Sequence, residues 1–312
     1  MKVSASAPGK VILFGEHFVV YGGRAVATAV KYRATVTAVE SDSRHSAMSG
    51  SFGDIRYPGY ELPREALPFA RIADIIRERY GSDEGVTLSI QSEIPQGAGL
   101  GSSSACYVAA AAATSRMYSE ASGHKPMDAY EIRDIALEAE RTIFSRASGI
   151  DSTISALGGT IAYSSEEGVQ SVPVSPEVMM LIVDSGQRHT TSDVVERVYR
   201  YRESNPRRFR DIMISQDAIV REATAALRAA DLEALGLCMK RNQRNLDAIG
   251  VSTDLLRQMI KTADSVTYGS KLTGAGGGGC IIAISAESTA ESWPGPQSAI
   301  PTALGCPGIM YC

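Results

Sequence analysis

The segment Pro95-Gln96-Gly97-Ala98-Gly99-Leu100-Gly101-Ser102-Ser103-Ser104-Ala105 carries the clearest chemistry in the chain. Glycines at 97, 99 and 101 let a backbone approach a ligand closely and take positive φ. Ser102, Ser103 and Ser104 fall where a helix would begin, as caps and as hydroxyl ligands. The first turn of such a helix offers unpaired N–H groups and the positive end of a dipole. Phosphate binding is the chemistry this combination serves. A tight turn would also use Gly and Ser, but three alternating glycines followed by three serines exceed what a turn needs. No Lys follows Gly101, so the P-loop pattern is absent, and the third glycine comes one residue early for G-x-G-x-x-G.

A second glycine loop, Lys271-Leu-Thr-Gly-Ala-Gly-Gly-Gly-Gly-Cys280, does contain G-x-G-x-x-G. An apolar strand follows it, whereas dinucleotide binding requires a helix there. So many glycines ahead of a buried strand predict a loop that lies against another part of the molecule, in preference to a linker. Near the start, Lys10 sits between Pro8-Gly9 and a run of apolar residues, a poor setting for a surface lysine. Glu16 and His17 likewise stand among apolar neighbours, where a lone His is most often structural. Asp151 follows a Ser-Gly turn and precedes a helical stretch, a position that suits an N-cap for 152–157. His45 and His124 fall in polar loops and carry no assignment.

The elements that must hold these residues are legible in outline. Alternating Val86–Ser92 predicts a half-buried strand leading into the first loop, and the Ala-rich stretch after it a helix. Residues 3–7 and 10–14 predict two extended pieces flanking a Pro8-Gly9 turn. Residues 25–40 predict two strands or one long bent one, and residues 41–62 a turn-rich surface excursion. Apolar spacing predicts helices over 65–80, 127–145, 206–227, 231–248 and 253–263. Thr160–Tyr163 reads as a short strand, 166–176 as a connector, and the continuous apolar run Val178–Asp184 as a buried strand. The sum is an α+β chain with a seam near 165–177.

With 312 residues, 44% of them hydrophobic, there is material for two domains or one large one. A net charge of −4 provides no field to gather nucleic acid or anionic lipid, and 6% aromatics is too few for base-stacking platforms. The 5 cysteines form an odd set without a C-x-x-C pair, which predicts reduced thiols and a cytoplasmic setting. Neither a leader-like apolar region nor a bilayer-length apolar run is expected.

Three segments together resemble the three motifs of the GHMP kinases: Pro8-Gly-Lys-Val-Ile-Leu-Phe-Gly-Glu-His17, Pro95 to Ala105, and Lys271 to Cys280. Order and spacing also agree, and the likeness runs from about residue 4 to about residue 286. The resemblance implies a two-domain GHMP kinase fold. A ribosomal-S5-domain-2-like N-terminal domain (1–170) and a ferredoxin-like α/β-sandwich C-terminal domain (171–312) would flank the active site. It implies ATP as phosphoryl donor, held along residues 95–105, and Mg²⁺ bound by Ser103 and Glu140, with the extra serine leaving Ser104 open as the alternative. Asp151 is then the base for the acceptor hydroxyl, and Lys10 beside it stabilises the developing alkoxide. Glu16, His17, Thr190, Gly274 and Ala275 are implied on the acceptor side.

Gly15-Glu-His-Phe-Val-Val-Tyr-Gly22, Ser148 to Gly159 and Asn242 to Ser252 are similar to the branch of the family that acts on mevalonate. The expected reaction is therefore phosphorylation of the mevalonate 5-hydroxyl, for isoprenoid synthesis, with a homodimer open as the assembly. Alternatives are a kinase for phosphomevalonate or for the 3-hydroxyl, a diphosphomevalonate decarboxylase, or a silent sensor. The tail 287–312 departs from the family's final helix and strand and shows neither period, which puts the last strand in doubt.

Overall fold

The computed structural model describes residues 1–312 apart from 42–45, 51–52, 58–61, 96, 146, 165, 176–177, 189 and 286–292. Gln96 and His45 therefore lie outside the described residues, as does His189 beside Thr190.

The first sheet is built on two long strands, β1 (Lys2–Phe14) and β2 (Ala25–Ser41), paired antiparallel. The expected turn at Pro8-Gly9 is a bulge inside one continuous strand: the register shifts between Pro8 and Lys10 and again between Ile12 and Phe14. Proline cannot donate to the ladder, so the pairing breaks there and the strand bends, with Lys10 next to the break. Residues 25–40 form one strand, the second of the two possibilities. The polar stretch after it is not a simple excursion. It contains the hairpin β3 (Ser46–Gly50) and β4 (Gly53–Tyr57), and β3 runs parallel to β5 (Gly85–Ser92). Counting in the C-terminal strand β12 (Met310–Tyr311), the sheet order is β12-β1-β2-β5-β3-β4, with β6 (Thr160–Ser164) branching from β2 and β7 (Gly168–Ser171) pairing with β6. The connector expected over 166–176 thus contains a strand.

Helices cover this sheet: α1 (Leu67–Tyr80), α2 (Ser102–Ser122), α3 (Ala129–Glu140) and α4 (Ile150–Leu157). Helix α2 is the centre, in contact with β1, β2, α1, α3 and α4. Ala109 to Ala113 are wholly buried, which explains an Ala-rich helix without an amphipathic stripe. Helix α3 is shorter than expected. Asp128 and Glu131 close a capping box at its start, and it stops at Glu140.

The second sheet, order β11-β8-β10-β9, is antiparallel throughout and comprises β8 (Met179–Asp184), β9 (Gly269–Leu272), β10 (Cys280–Ser285) and β11 (Ala299–Ala303). It packs with α5 (Thr191–Ser204), α6 (Pro206–Ala229), α7 (Leu232–Ala248) and α8 (Asp254–Asp264). Strands β8 and β10 are apolar without alternation because both faces are covered. Met180, Ile182, Ile282 and Ile284 join one core with Val220 and Met239, while Leu181, Val183, Ile281 and Ala283 join another with Leu246 and Leu256.

The tail supplies the strand that its sequence left in doubt. Strand β11 extends the second sheet, after which the chain crosses to the first and ends as β12 (Met310–Tyr311) against β1. On the way, Gly159 N donates to Cys306 O (2.8 Å), Ile309 N to Ala156 O (3.1 Å) and Arg33 to the carbonyls of Pro307 and Gly308. The tail thereby fastens the C-terminal end of α4. The five cysteines are unbridged. Among the described residues, no helix is long and apolar enough to cross a membrane.

Candidate active site

The bulge in β1 aims Lys10 across the mouth of the first glycine loop. Its backbone N donates to Leu100 O (2.9 Å), and its ammonium lies 3.1 Å from Asp151 Oδ2 and 3.5 Å from Gly99 O. Lys10 is almost buried, whereas the Asp151 side chain is 33% exposed and open to a ligand. Gly101 must be glycine here. Its φ is +73° and a Cβ would stand 2.8 Å from Lys10 Cγ. Asp151 is not an N-cap. Gly149, at φ 81°, precedes α4 in the left-handed region and Asp151 occupies the first turn, so its carboxylate is free to face Lys10.

Helix α2 begins directly after Gly101, and no serine caps it: Gly101 is the N-cap and makes no side-chain cap bond. First-turn N–H groups left without a side-chain cap are what an anion would use. The serines instead divide their tasks. Ser104 Oγ donates to Glu140 Oε1 (3.0 Å) while Ser103 is exposed on the open side, and Ser102 Oγ lies 3.2 Å from Ser92 Oγ. Cys106, one turn on, is inert, since burial pushes its thiol up to about 11.

Glu140 ends α3 close to the Lys10–Asp151 pair. Its second oxygen accepts from Ser152 Oγ (3.0 Å). Burial, then the neighbouring charge of Asp151, raises its pKa above the ordinary carboxylate value, and the two hydroxyls only partly offset this. Two carboxylates beside serine hydroxyls are a donor set suited to a hard divalent cation that takes its remaining ligands from phosphates and water. Among the described residues there is no group of three or more His, Cys, Asp or Glu able to hold a metal ion by itself.

The second glycine loop does lie against other parts of the molecule. Gly277 N donates to Val251 O (2.7 Å) and Gly279 N to Gln187 O (2.9 Å), and Cβ atoms at 276 and 278 would strike those same backbones. Its leading edge reaches the first motif: Thr273 Oγ1 donates to Ile12 O (2.9 Å) and His17 Nε2 lies 2.7 Å from Ala275 O. A Cβ on Gly274 would stand 3.6 Å from Gly99 O, so the two glycine loops touch. Burial lowers the pKa of His17, leaving a neutral ring whose Nε2–H donates to Ala275.

Glu16 is fully buried and takes a hydrogen bond from Lys271 Nζ, itself fully buried. Burial raises the Glu16 pKa and lowers that of Lys271, while each partner opposes the other's shift. Glu16 Oε2 has no hydrogen-bond partner.

The structure thus gathers Lys10, Gly99, Gly101, Ser104, Glu140 and Asp151 at one cleft, with Glu16, His17, Gly274 and Ala275 adjoining it. Pro95, Gly97, Ala98, Leu100 and Ala105 follow the loop, Ala98 and Leu100 pointing into the core. Thr190 stands apart, exposed at the start of α5. Its neighbour Arg188 is nearer: the Arg188 side chain would lie 2.8 Å from a Cβ on Gly97, and Asp184 holds its guanidinium at 2.8 and 2.9 Å. Sequence reasoning missed Lys271, Thr273 and Ser152. Lys271 did carry a signal, because it opens an apolar strand as Lys10 does, and a lysine there needs a partner.

The family models for the GHMP kinases N terminal domain and the GHMP kinases C terminal region match residues 68–159 and 223–292. A mevalonate kinase of Thermococcus gammatolerans is 37% identical, aligned over 99% of this chain and 96% of its own length. The mevalonate kinase of L. major in complex with R-mevalonate superposes with a TM-score of 0.78 at 22% identity, covering 97% of this chain and 96% of that one. The galactokinase of Lactococcus lactis complexed with galactose gives a TM-score of 0.78 at 16% identity, over 99% and 95% of the two chains.

Proposed function

The chain belongs to the GHMP kinase family, and from that premise we propose that it transfers the γ-phosphoryl group of ATP to the 5-hydroxyl of mevalonate. The observation that carries the reaction type is the Lys10–Asp151 pair, 3.1 Å apart at the edge of a glycine loop. Two enzymes for different acceptors superpose equally well, so the fold does not select the acceptor. Support for mevalonate comes from 37% identity to a mevalonate kinase across nearly the whole chain, which also weighs against phosphomevalonate kinase and decarboxylase activities.

In this reading residues 95–105 cradle the phosphates through backbone N–H groups, the first turn of α2 adding its dipole. Asp151 accepts the proton of the attacking hydroxyl, and the Lys10 ammonium beside it stabilises the oxygen as negative charge develops. Glu140 and a hydroxyl from Ser103 or Ser104 would hold Mg²⁺, which when bound neutralises charge on the phosphates. Glu16, His17, Gly274 and Ala275 form the acceptor side. Residues 1–170 and 171–312 serve as the two lobes, except that the tail crosses back to the first. Most of the catalysis is positioning, since phosphoryl transfer leaves little covalent work to the protein.

The test is ADP release with mevalonate, phosphomevalonate, galactose and homoserine offered separately. Turnover with mevalonate alone is expected. Turnover with another of the four and none with mevalonate would refute the assignment.

A further inference from the structure

The Glu140 carboxylate, at the end of α3, is gripped from two other helices at once. Ser104 Oγ, in the first turn of α2, donates to Oε1 (3.0 Å), and Ser152 Oγ, in the first turn of α4, donates to Oε2 (3.0 Å). Both serines are buried, at 2% and 0% exposure, whereas Glu140 is only partly buried and can still be reached. An ionised carboxylate offers about four lone-pair sites, so each oxygen keeps one after its serine is served. Each serine also stands one position from a residue of the reaction. Successive helical residues point about 100° apart. Ser104 therefore turns inward to α3 while Ser103 stays exposed, and Ser152 turns to Glu140 while Asp151 meets Lys10.

We propose that Ser104 and Ser152 are positioning residues that together preset the Glu140 carboxylate for the divalent cation accompanying the nucleotide. The inference rests on the kinase reading above and adds two residues to it, both acting through Glu140. A glutamate side chain at a helix end has several rotatable bonds, and a ligand that must first freeze them binds more weakly than one that meets a fixed group. Here one hydroxyl per oxygen removes that freedom before any ligand arrives. Ser152 does more, because it ties Glu140 to the helix that carries Asp151. One hydrogen bond thus sets the cation ligand in register with the base. The partners that orient a metal-ligating carboxylate affect metal affinity nearly as strongly as the ligand itself.

Mn²⁺ is the probe, since its electron paramagnetic resonance signal reports binding without turnover. Wild type, Ser104→Ala, Ser152→Ala, Glu140→Gln and each serine change combined with Glu140→Gln are compared, all checked for folding by their thermal transitions. Two affinities are measured: that for Mn²⁺ in the presence of a non-hydrolysable ATP analogue, and that for the analogue alone in EDTA. Wild-type Mn²⁺ binding that depends on the analogue tests the kinase reading, and its absence would overturn that reading and this proposal with it. Given that binding, each serine variant is expected to hold Mn²⁺ about tenfold more weakly, with its metal-free analogue affinity within about twofold of wild type. Once Glu140→Gln has removed the ligand, adding either serine change should cost less than about twofold more. Wild-type Mn²⁺ affinity in either serine variant, or an equal loss of metal-free analogue affinity, would overturn the proposal. So would a further loss of about tenfold on the Glu140→Gln background, which would mean that the serine acts on the cation directly. Should one serine variant not fold, the other, alone and combined with Glu140→Gln, decides.

Discussion

Lys10 Nζ stands 3.1 Å from Asp151 Oδ2, with the lysine sheltered and the aspartate one-third exposed, so the pair presents a carboxylate to the cleft and keeps its counter-charge behind. That asymmetry suits a base that must meet an outside hydroxyl. Asp151→Asn preserves size and removes the proton acceptor. Turnover should fall roughly 1,000-fold while ATP affinity, measured by calorimetry, is retained. Near-normal turnover would show that another group takes the proton.

Gly101 controls the same pair from the other side. Gly101→Ala would strain a backbone at φ +73° and set a Cβ 2.8 Å from Lys10 Cγ, displacing the ammonium. A shift of about 1 Å in a catalytic group can cost on the order of 100-fold, and kcat should drop by about that factor. Wild-type kinetics from this variant would mean that the Lys10 stem has room to move.

Glu140 is kept in a place that penalises its charge, and its raised pKa reflects burial and the proximity of Asp151. Glu140→Gln should therefore stabilise the ligand-free protein, raising Tm by roughly 2 °C, while sharply weakening the Mg²⁺ dependence of turnover. A lowered Tm with unchanged Mg²⁺ dependence would count against its role as a metal ligand.

His17 sets a pH signature. Its folded-state pKa lies below 6.5 because of burial, so between the two values the unfolded chain binds a proton that the native state refuses. Stability from this group is complete above pH 6.5 and is lost as pH falls beneath it, at no more than about 1.4 kcal/mol per pH unit. His17→Gln keeps an N–H for Ala275 O and lacks the titration. The difference in Tm between the two proteins should thus change sharply from pH 7 to pH 5, and parallel curves would exclude a neutral buried His17.

The tail can be tested through Gly308, where a Cβ would meet Ala156 O at 2.2 Å. Gly308→Ala should destabilise by about 2 kcal/mol, a Tm loss of roughly 5 °C, as the tail is pushed off the end of α4. Because α4 carries Asp151, kcat should fall as well. An unaltered Tm would mean that the tail is not seated there.

What the sequence determined by itself was whatever depends on near neighbours. Glycines at 97, 99 and 101, all at positive φ, marked the loop, and apolar spacing marked α1, α6, α7 and α8, because φ limits and helical period are properties of a few consecutive residues. The three motifs were likewise readable, since each is contiguous. Tertiary structure alone decided which distant groups meet. Lys271 finds Glu16, Ser104 and not Ser103 finds Glu140, and Gly149 displaces Asp151 from the cap so that it can face Lys10. The hairpin of β3 and β4 and the strands of the tail escaped the sequence reading for a related reason. Their residues carry no strong apolar alternation, and they become strands by pairing with edges that β5, β8 and β1 leave open. Register, bulges and the closing of one lobe on the other are set by long-range packing, and no local pattern encodes them.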